Sequence, residues 1–136
     1  METWGQDRFD FDMATKIEPN LPKEPLFLMD YPAPAASLAR LKASDPRVAE
    51  RWELYVGGME LANAFTELTD PGEQRRRFEA ARAERRVLGE ADYPLDEEFL
   101  SALTHMPRAG GVALGVDRLV MLACSAALID EVRTGT

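Results

Sequence analysis

The stretch that most restricts how this chain folds is VAERWELYVGGMELANAFTEL, from Val48 to Leu68. Strict alternation between Val48 and Val56 puts Arg51, Glu53 and Tyr55 on one face of a strand and Trp52, Leu54 and Val56 on the other. Gly57 and Gly58 fall where a two-residue hairpin turn belongs, and the return strand runs from Met59 to Leu68. Glu53, Glu60, Asn63 and Glu67 are the wrong chemistry for an ordinary sheet core. They are also too regularly interleaved with Leu54, Val56, Leu61 and Phe65 for a plain loop. By parity Asn63 and Glu67 share a face and Glu60 does not. A bulge near Leu61 or Ala62 is needed to aim all three at one cavity.

Around this hairpin the chain reads as a mixed α+β domain. Thr3 to about Ile17, with Trp4, Phe9, Phe11, Met13 and Ile17, predicts a helix that the proline-rich EPNLPKEP ends. LFLMDYP, from Leu26 to Pro32, predicts a short, fully buried strand. Ser37 to Leu41 reads as a helical turn, and ASDPRVAE as a loop. TDPGE marks a helix start, with Asp70 as N-cap, Pro71 at the first helical position and Glu73 at the third; that helix runs to about Leu88 and stops at Gly89. A second helix spans roughly Asp96 to His105 and buries Leu95, Phe99, Leu100 and Leu103. GGVALGV, at 110–116, predicts a strand feeding a helix from Asp117 to about Ala127. Strands and helices do not alternate as in a parallel sheet, so the sheet is expected to be antiparallel with helices laid on it.

Composition excludes several classes. The 24 acidic and 16 basic residues give a net charge of −8, which disfavours a dedicated nucleic-acid surface. The basic cluster EQRRRFEAARAERR, from Glu73 to Arg86, carries acids of its own and reads first as a solvated helix face, with a docking stripe as the lesser reading. The apolar run from Leu119 to Ala127 is too short to span a bilayer, and METWGQDRFD has neither region of a signal peptide. A single cysteine, Cys124, fits a reducing cytoplasm and reads as a small core residue. The tryptophans and Phe65 are expected in the core. The one histidine, His105, reads as a residue at a helix C-terminus.

In GVALGVDR, Gly111 and Gly115 leave room for a flat ligand against the backbone, and Arg118 stands at a helix start with a guanidinium suited to phosphate. Alone this is a weak signal; its alternative is a tight strand with Arg118 paired to Asp117 or Glu60. Likewise Glu53 and Glu67 fit an exposed sheet face, and Asn63 a bulge or turn. Together, however, ERWELYVGGMELANAFTELTDP, DEEFLSAL and MPRAGGVALGVDRLVML resemble the C-terminal half of a class II lysyl-tRNA synthetase catalytic domain, and GVALGVDR is similar to the third signature motif of that class. Within this family the chain most resembles the paralogs that attach lysine, preferably (R)-β-lysine, to elongation factor P. The segments VAERWELYVGGMELANAFTELTD and GVALGVDRLVMLA resemble theirs, as does KIEPNLPKEPLFLMDYPAPAASLARL. Position 113 is alanine where tRNA-charging enzymes usually carry a third glycine.

The resemblance implies an ATP-dependent, Mg²⁺-assisted ligase that activates lysine as an adenylate. Glu53 and Glu60 correspond to the Mg²⁺ ligands, and Arg118 to the arginine on the ATP γ-phosphate. Gly115 and Gly111 would flank the nucleotide. Asn63, Glu67 and Ala113 would line the amino-acid pocket, with Glu67 facing the side-chain ammonium. The acceptor implied is a lysine of elongation factor P; a tRNA acceptor, charged by a lysyl-tRNA synthetase fragment, is the alternative, and a non-catalytic binding module a third. No counterpart of the first or second class II motif is found, so residues 1–136 read as a single truncated domain. Such a half-site is expected to bind weakly and react poorly, and either homodimerisation or a complementing N-terminal half is expected to accompany it.

Overall fold

In the computed structural model, which describes residues 6–133, the hairpin forms as its spacing dictates and becomes the middle of a five-stranded sheet. Strands β3 (Asp45–Val56) and β4 (Met59–Thr66) pair antiparallel from Val56 and Met59 to Arg51 and Phe65. Gly57 and Gly58 take φ of 65° and 79°, the left-handed backbone that such a turn requires and that a Cβ resists. On the far side of β3 lies β1 (Leu26–Pro32), on the far side of β4 lies β5 (Gly110–Leu114), and β2 (Leu41–Lys42) pairs with the start of β3. The order is β1-β3-β4-β5 and every pairing is antiparallel.

The register slips once within the hairpin. Leu54 pairs with Ala62 but Tyr55 pairs with Glu60, leaving Leu61 as the extra residue. This is the bulge that the parity of the sequence required, and it turns Glu60 onto the face of Tyr55, Glu53 and Asn63. Its backbone is put to use as well: the Leu61 carbonyl accepts from Gly115 N–H at 2.9 Å and ties the end of β5 to β4.

The helices are α1 (Gln6–Asp12), α2 (Pro71–Val87), α3 (Glu97–Leu103) and α4 (Val116–Cys124), making an α+β fold. Asp70 caps α2 by accepting from the backbone of Gly72 at 2.8 Å and Glu73 at 3.1 Å, and Gly89 follows its end at positive φ. Phe78 and Phe99, with ring centroids 6.0 Å apart, join α2 to α3. The opening helix changes winding at Met13, passing into a π turn to Ile17 and a 3₁₀ turn over Glu18–Asn20. Its expected start, including Trp4, lies outside the described residues.

Burial departs from the sequence reading in a consistent direction. β1 is not fully buried: Phe27 and Met29 are 59% and 62% exposed, on the sheet face opposite the hairpin's carboxylates. Two wholly apolar cross-strand rows run over that face, Phe27–Leu54–Ala62–Leu114 and Met29–Trp52–Ala64–Val112. Trp52 is only half-buried there, held edge-on to Phe27 at 5.1 Å. Phe99 and Cys124 are exposed and not core; Ser125 takes a left-handed backbone, ending α4 at Cys124 and short of Ala127. The helical turn falls on Ala33–Ala35 instead of Ser37 to Leu41, because Ser37 has positive φ and Leu41 joins β2. Lys42 pairs with Asp45 across Ala43 and Ser44, so the expected loop is a tight hairpin and β3 starts early.

The face bearing Glu53 is covered at one end. Ala36 and Ala39 pack with Ala49 into a small-residue core, with Leu41 and Phe65 against it, and Phe9 of α1 meets Tyr31 edge-on at 5.5 Å. What stays open is the other end, where β4, β5 and the start of α4 converge.

Candidate active site

At that open end a cleft of about 330 Å³ is lined by Glu60, Asn63, Ala113, Gly115 and Arg118, with Leu61 and Ile129 among its apolar walls. Asn63 pairs with Ala113 across β4 and β5, so both side chains rise from one level of the sheet. Gly115 caps α4 and directs the first turn of that helix, with its partly positive N–H groups, toward the cleft. Arg118 leaves this turn and donates to the Glu60 carbonyl at 2.6 Å, with the Glu60 carboxylate 3.5 Å away. The pairing with Glu60 weighed from the sequence therefore forms; Asp117 is instead 3.3 Å from Arg133. Both Arg118 and Glu60 stay open to solvent, so this contact is a loose tether.

Glu53 occupies a different setting on the same face. It is 6% exposed and its carboxylate is fully engaged. Arg51 Nη2 donates to Oε1 at 2.8 Å, Asn63 Nδ2 donates to Oε1 at 3.2 Å, and the Tyr55 hydroxyl donates to Oε2 at 2.8 Å. Strand parity produces this cluster, because residues 51, 53 and 55 are on one face and Asn63 pairs with Glu53 across the hairpin. Asn63 thus links the enclosed Glu53 to the open cleft.

Glu67 lies just beyond the end of β4, bridged to Ala39 and hydrogen-bonded through its N–H to the Ala109 carbonyl at 3.0 Å. Its carboxylate lies over Gly111, where a Cβ would collide with Oε1. The room that Gly111 leaves is taken, in this structure, by Glu67. The structure therefore brings Glu60, Asn63, Ala113, Gly115 and Arg118 around one cleft, connects Glu53 to it through Asn63, and sets Glu67 with Gly111 further along the same face.

Two members of this neighbourhood carried no assignment from sequence: Tyr31 and Arg51. The guanidinium of Arg51 lies 4.5 Å from the Tyr31 ring centroid and also donates to the Ala35 carbonyl at 2.8 Å. The parity of RWELY was the available signal for Arg51. Tyr31 has none, because it arrives from β1 across a register shift between Met29 and Tyr31.

Burial, reinforced by the Glu53 carboxylate, pushes the hydroxyls of Tyr31 and Tyr55 well above the usual tyrosine range. An unfolded chain loses these protons from about pH 10 while the fold retains them. Their contribution is thus complete below that pH and declines as pH rises above it. Phenolate absorbance from Tyr31 and Tyr55 is expected to appear only together with loss of the helical and strand circular-dichroism signal. Ionisation of both near pH 10 in an intact fold would contradict the burial described.

The arginines of α2 do not form a free stripe. Arg75 pairs with Glu97, Arg76 and Arg77 with Glu73, Arg82 and Arg86 with Asp92, and Arg85 with Glu90. Arg77 also donates to the carbonyls of Ser37 and Ala39, fixing α2 to the segment beside Glu67. Among the described residues no helix is long and apolar enough to cross a membrane, and no cluster of three or more His, Cys, Asp or Glu side chains is set to hold a metal.

The chain matches the class II tRNA synthetases (D, K and N) over residues 3–134. It is 53% identical over 121 residues to the elongation factor P–(R)-β-lysine ligase of Edwardsiella ictaluri, an alignment covering 88% of this chain and 37% of that protein. To the ligase of the same name from Pectobacterium atrosepticum it is 49% identical over 118 residues, covering 85% of this chain and 36% of the relative. The chain thus spans little more than a third of the length of these curated relatives.

Proposed function

The chain belongs to the class II tRNA synthetases of the D, K and N group, and from that premise we propose that it carries part of the site of an ATP-dependent ligase acting on lysine or (R)-β-lysine. In the assembled enzyme, a carboxylate oxygen of the amino acid attacks the α-phosphorus of ATP and pyrophosphate leaves. The amine of a lysine on elongation factor P then displaces AMP to give an amide. The names of the two relatives support this substrate and acceptor, and a cytoplasmic location accords with them.

The observation that carries the reading is the bulge at Leu61, which turns Glu60 to the face of Asn63 and beside Arg118. Without it an acid, an amide and a guanidinium would not share one cleft. In this reading Arg118 takes the γ-phosphate and the start of α4 adds partial positive charge. Gly115 keeps the wall low for the nucleotide, with Gly111 further along β5. Asn63 and Glu67 accept from the substrate's ammonium groups, and Ala113 narrows the pocket between them by a methyl.

Glu60, whose carboxylate is open, suits a magnesium ion that arrives with the nucleotide, whereas Glu53, held by Arg51, Asn63 and Tyr55, would have to release one of these donors to share it. Such an ion takes one or two carboxylates and completes its shell with phosphate oxygens and water, so a third acidic ligand is not required. Bound there, it would neutralise phosphate charge as pyrophosphate departs. Glu60, with its open carboxylate, is the more available of the two ligands.

Replacing Glu67 by glutamine tests the assignment. Loss of the negative charge facing an ammonium is expected to weaken L-lysine by roughly ten- to a hundredfold in calorimetric titration, with Mg²⁺-ATP binding unchanged. Equal loss of both ligands would contradict the role given to Glu67.

A further inference from the structure

Among the described residues, the buried polar side-chain atoms without a hydrogen-bond partner include the Tyr31 hydroxyl, Arg51 Nε and Asn63 Oδ1. All three belong to side chains grouped around Glu53, and their polarity has a definite order. A guanidinium only donates and an ionised carboxylate only accepts. Arg51 therefore saturates one side of Glu53 Oε1, and the Asn63 group facing that oxygen at 3.2 Å must be the Nδ2 amine. The amide oxygen is left as the acceptor without a partner, on a residue that lines the cleft.

Arg51 is itself fixed from three directions. It donates to Glu53 and to the Ala35 carbonyl, both at 2.8 Å, and stacks on Tyr31. Its planar fork cannot reorganise as an ammonium on a flexible stem can. We infer that Arg51, which lines no part of the cleft, is a positioning residue for it: through Glu53 it sets the orientation of the Asn63 amide, so that the amide oxygen, enclosed in this structure, is the acceptor an ammonium group drawn in beside Asn63 would meet. That encounter rests on the proposed contact between Asn63 and substrate; the orientation of the amide does not.

The experiment uses the full ¹⁵N-labelled chain as wild type, Arg51→Gln and Arg51→Lys. It reads hydrogen exchange at the Asn63 side-chain amide and titrates each form with L-lysine. In the wild type the amide hydrogens are expected to exchange slowly. Arg51→Gln speeds that exchange by about tenfold or more and weakens L-lysine by a similar factor, and Arg51→Lys falls between the two. A merely structural arginine would speed exchange at the Asn63 side chain and at the backbone amides of β3 and β4 alike, whereas loss of positioning speeds the Asn63 amide beyond them. If Arg51→Gln does not fold, Arg51→Lys is decisive, since it keeps the charge without the fork and must still speed exchange. Faster exchange with no response to L-lysine in any form removes the substrate reading and leaves the positioning role standing. Unchanged Asn63 exchange in folded variants overturns the inference, whether or not L-lysine binds.

Discussion

Replacing Glu53 by alanine is expected to lower the stability of this chain by about 3–5 kcal/mol, seen as a shift of the urea midpoint with the slope unchanged. The carboxylate is 6% exposed and accepts from Arg51, Asn63 and Tyr55. Its loss leaves the Arg51 guanidinium largely buried without a counter-ion, strips Asn63 Nδ2 of its acceptor and leaves the Tyr55 hydroxyl only Glu18, at 3.2 Å. The double replacement Arg51→Met with Glu53→Leu removes both charges and is expected to recover most of the loss, since apolar side chains of similar volume replace a buried pair at little cost. This outcome also bears on function. A carboxylate retained only to hold a metal strains its site and tends to destabilise the fold, so its removal would leave stability unchanged or higher. A neutral or stabilising Glu53→Ala would therefore mean that the three donors are not holding the sheet face together.

Gly111→Ala is expected to behave in the opposite way, costing function and little stability. Alanine suits a strand better than glycine, and the atom a new methyl would strike is the end of the flexible Glu67 side chain, which can swing aside. The fold is expected to keep its stability within about 1 kcal/mol. The Glu67 carboxylate, however, loses its seat on β5. L-lysine affinity is expected to fall as far as in Glu67→Gln, roughly ten- to a hundredfold, with Mg²⁺-ATP unaffected. Calorimetric titration of the two ligands checks this. A Gly111→Ala protein that binds L-lysine normally would show that Glu67 is not seated there in the functional state, and one that loses only ATP would return Gly111 to the nucleotide.

What the sequence disclosed was local. Gly57 and Gly58 identify a hairpin because few other residues accept that backbone, and Asp70 identifies a helix start because it satisfies two otherwise free N–H groups. The bulge at Leu61 was inferable because the chemistry of Glu60 conflicts with its parity, and only an inserted residue reconciles them. Misreadings came where the answer depends on what lies above a surface. Phe27 and Met29 read as core because apolar strands usually are, yet both stand more than half exposed at the β1 edge of the sheet. Cys124 was placed inside from its apolar neighbours, and exposure of the last turn of α4 decides otherwise. The clamp on Glu53 was half visible, since RWELY aligns Arg51, Glu53 and Tyr55. The approach of Tyr31 was not, because a register shift in another strand sets it.

In the proposed function, this chain holds an amino-acid adenylate half-site between β4, β5 and the start of α4. Its most direct test is thermal unfolding with Mg²⁺-ATP and with non-hydrolysable adenylates of α-lysine and (R)-β-lysine. A ligand at roughly a hundred times its dissociation constant adds about 2.7 kcal/mol of apparent stability. The unfolding midpoint is expected to rise with the adenylates, more for the (R)-β-lysyl form than for the α-lysyl form. A cooperatively folded sample whose midpoint moves with none of the three would contradict the proposed half-site.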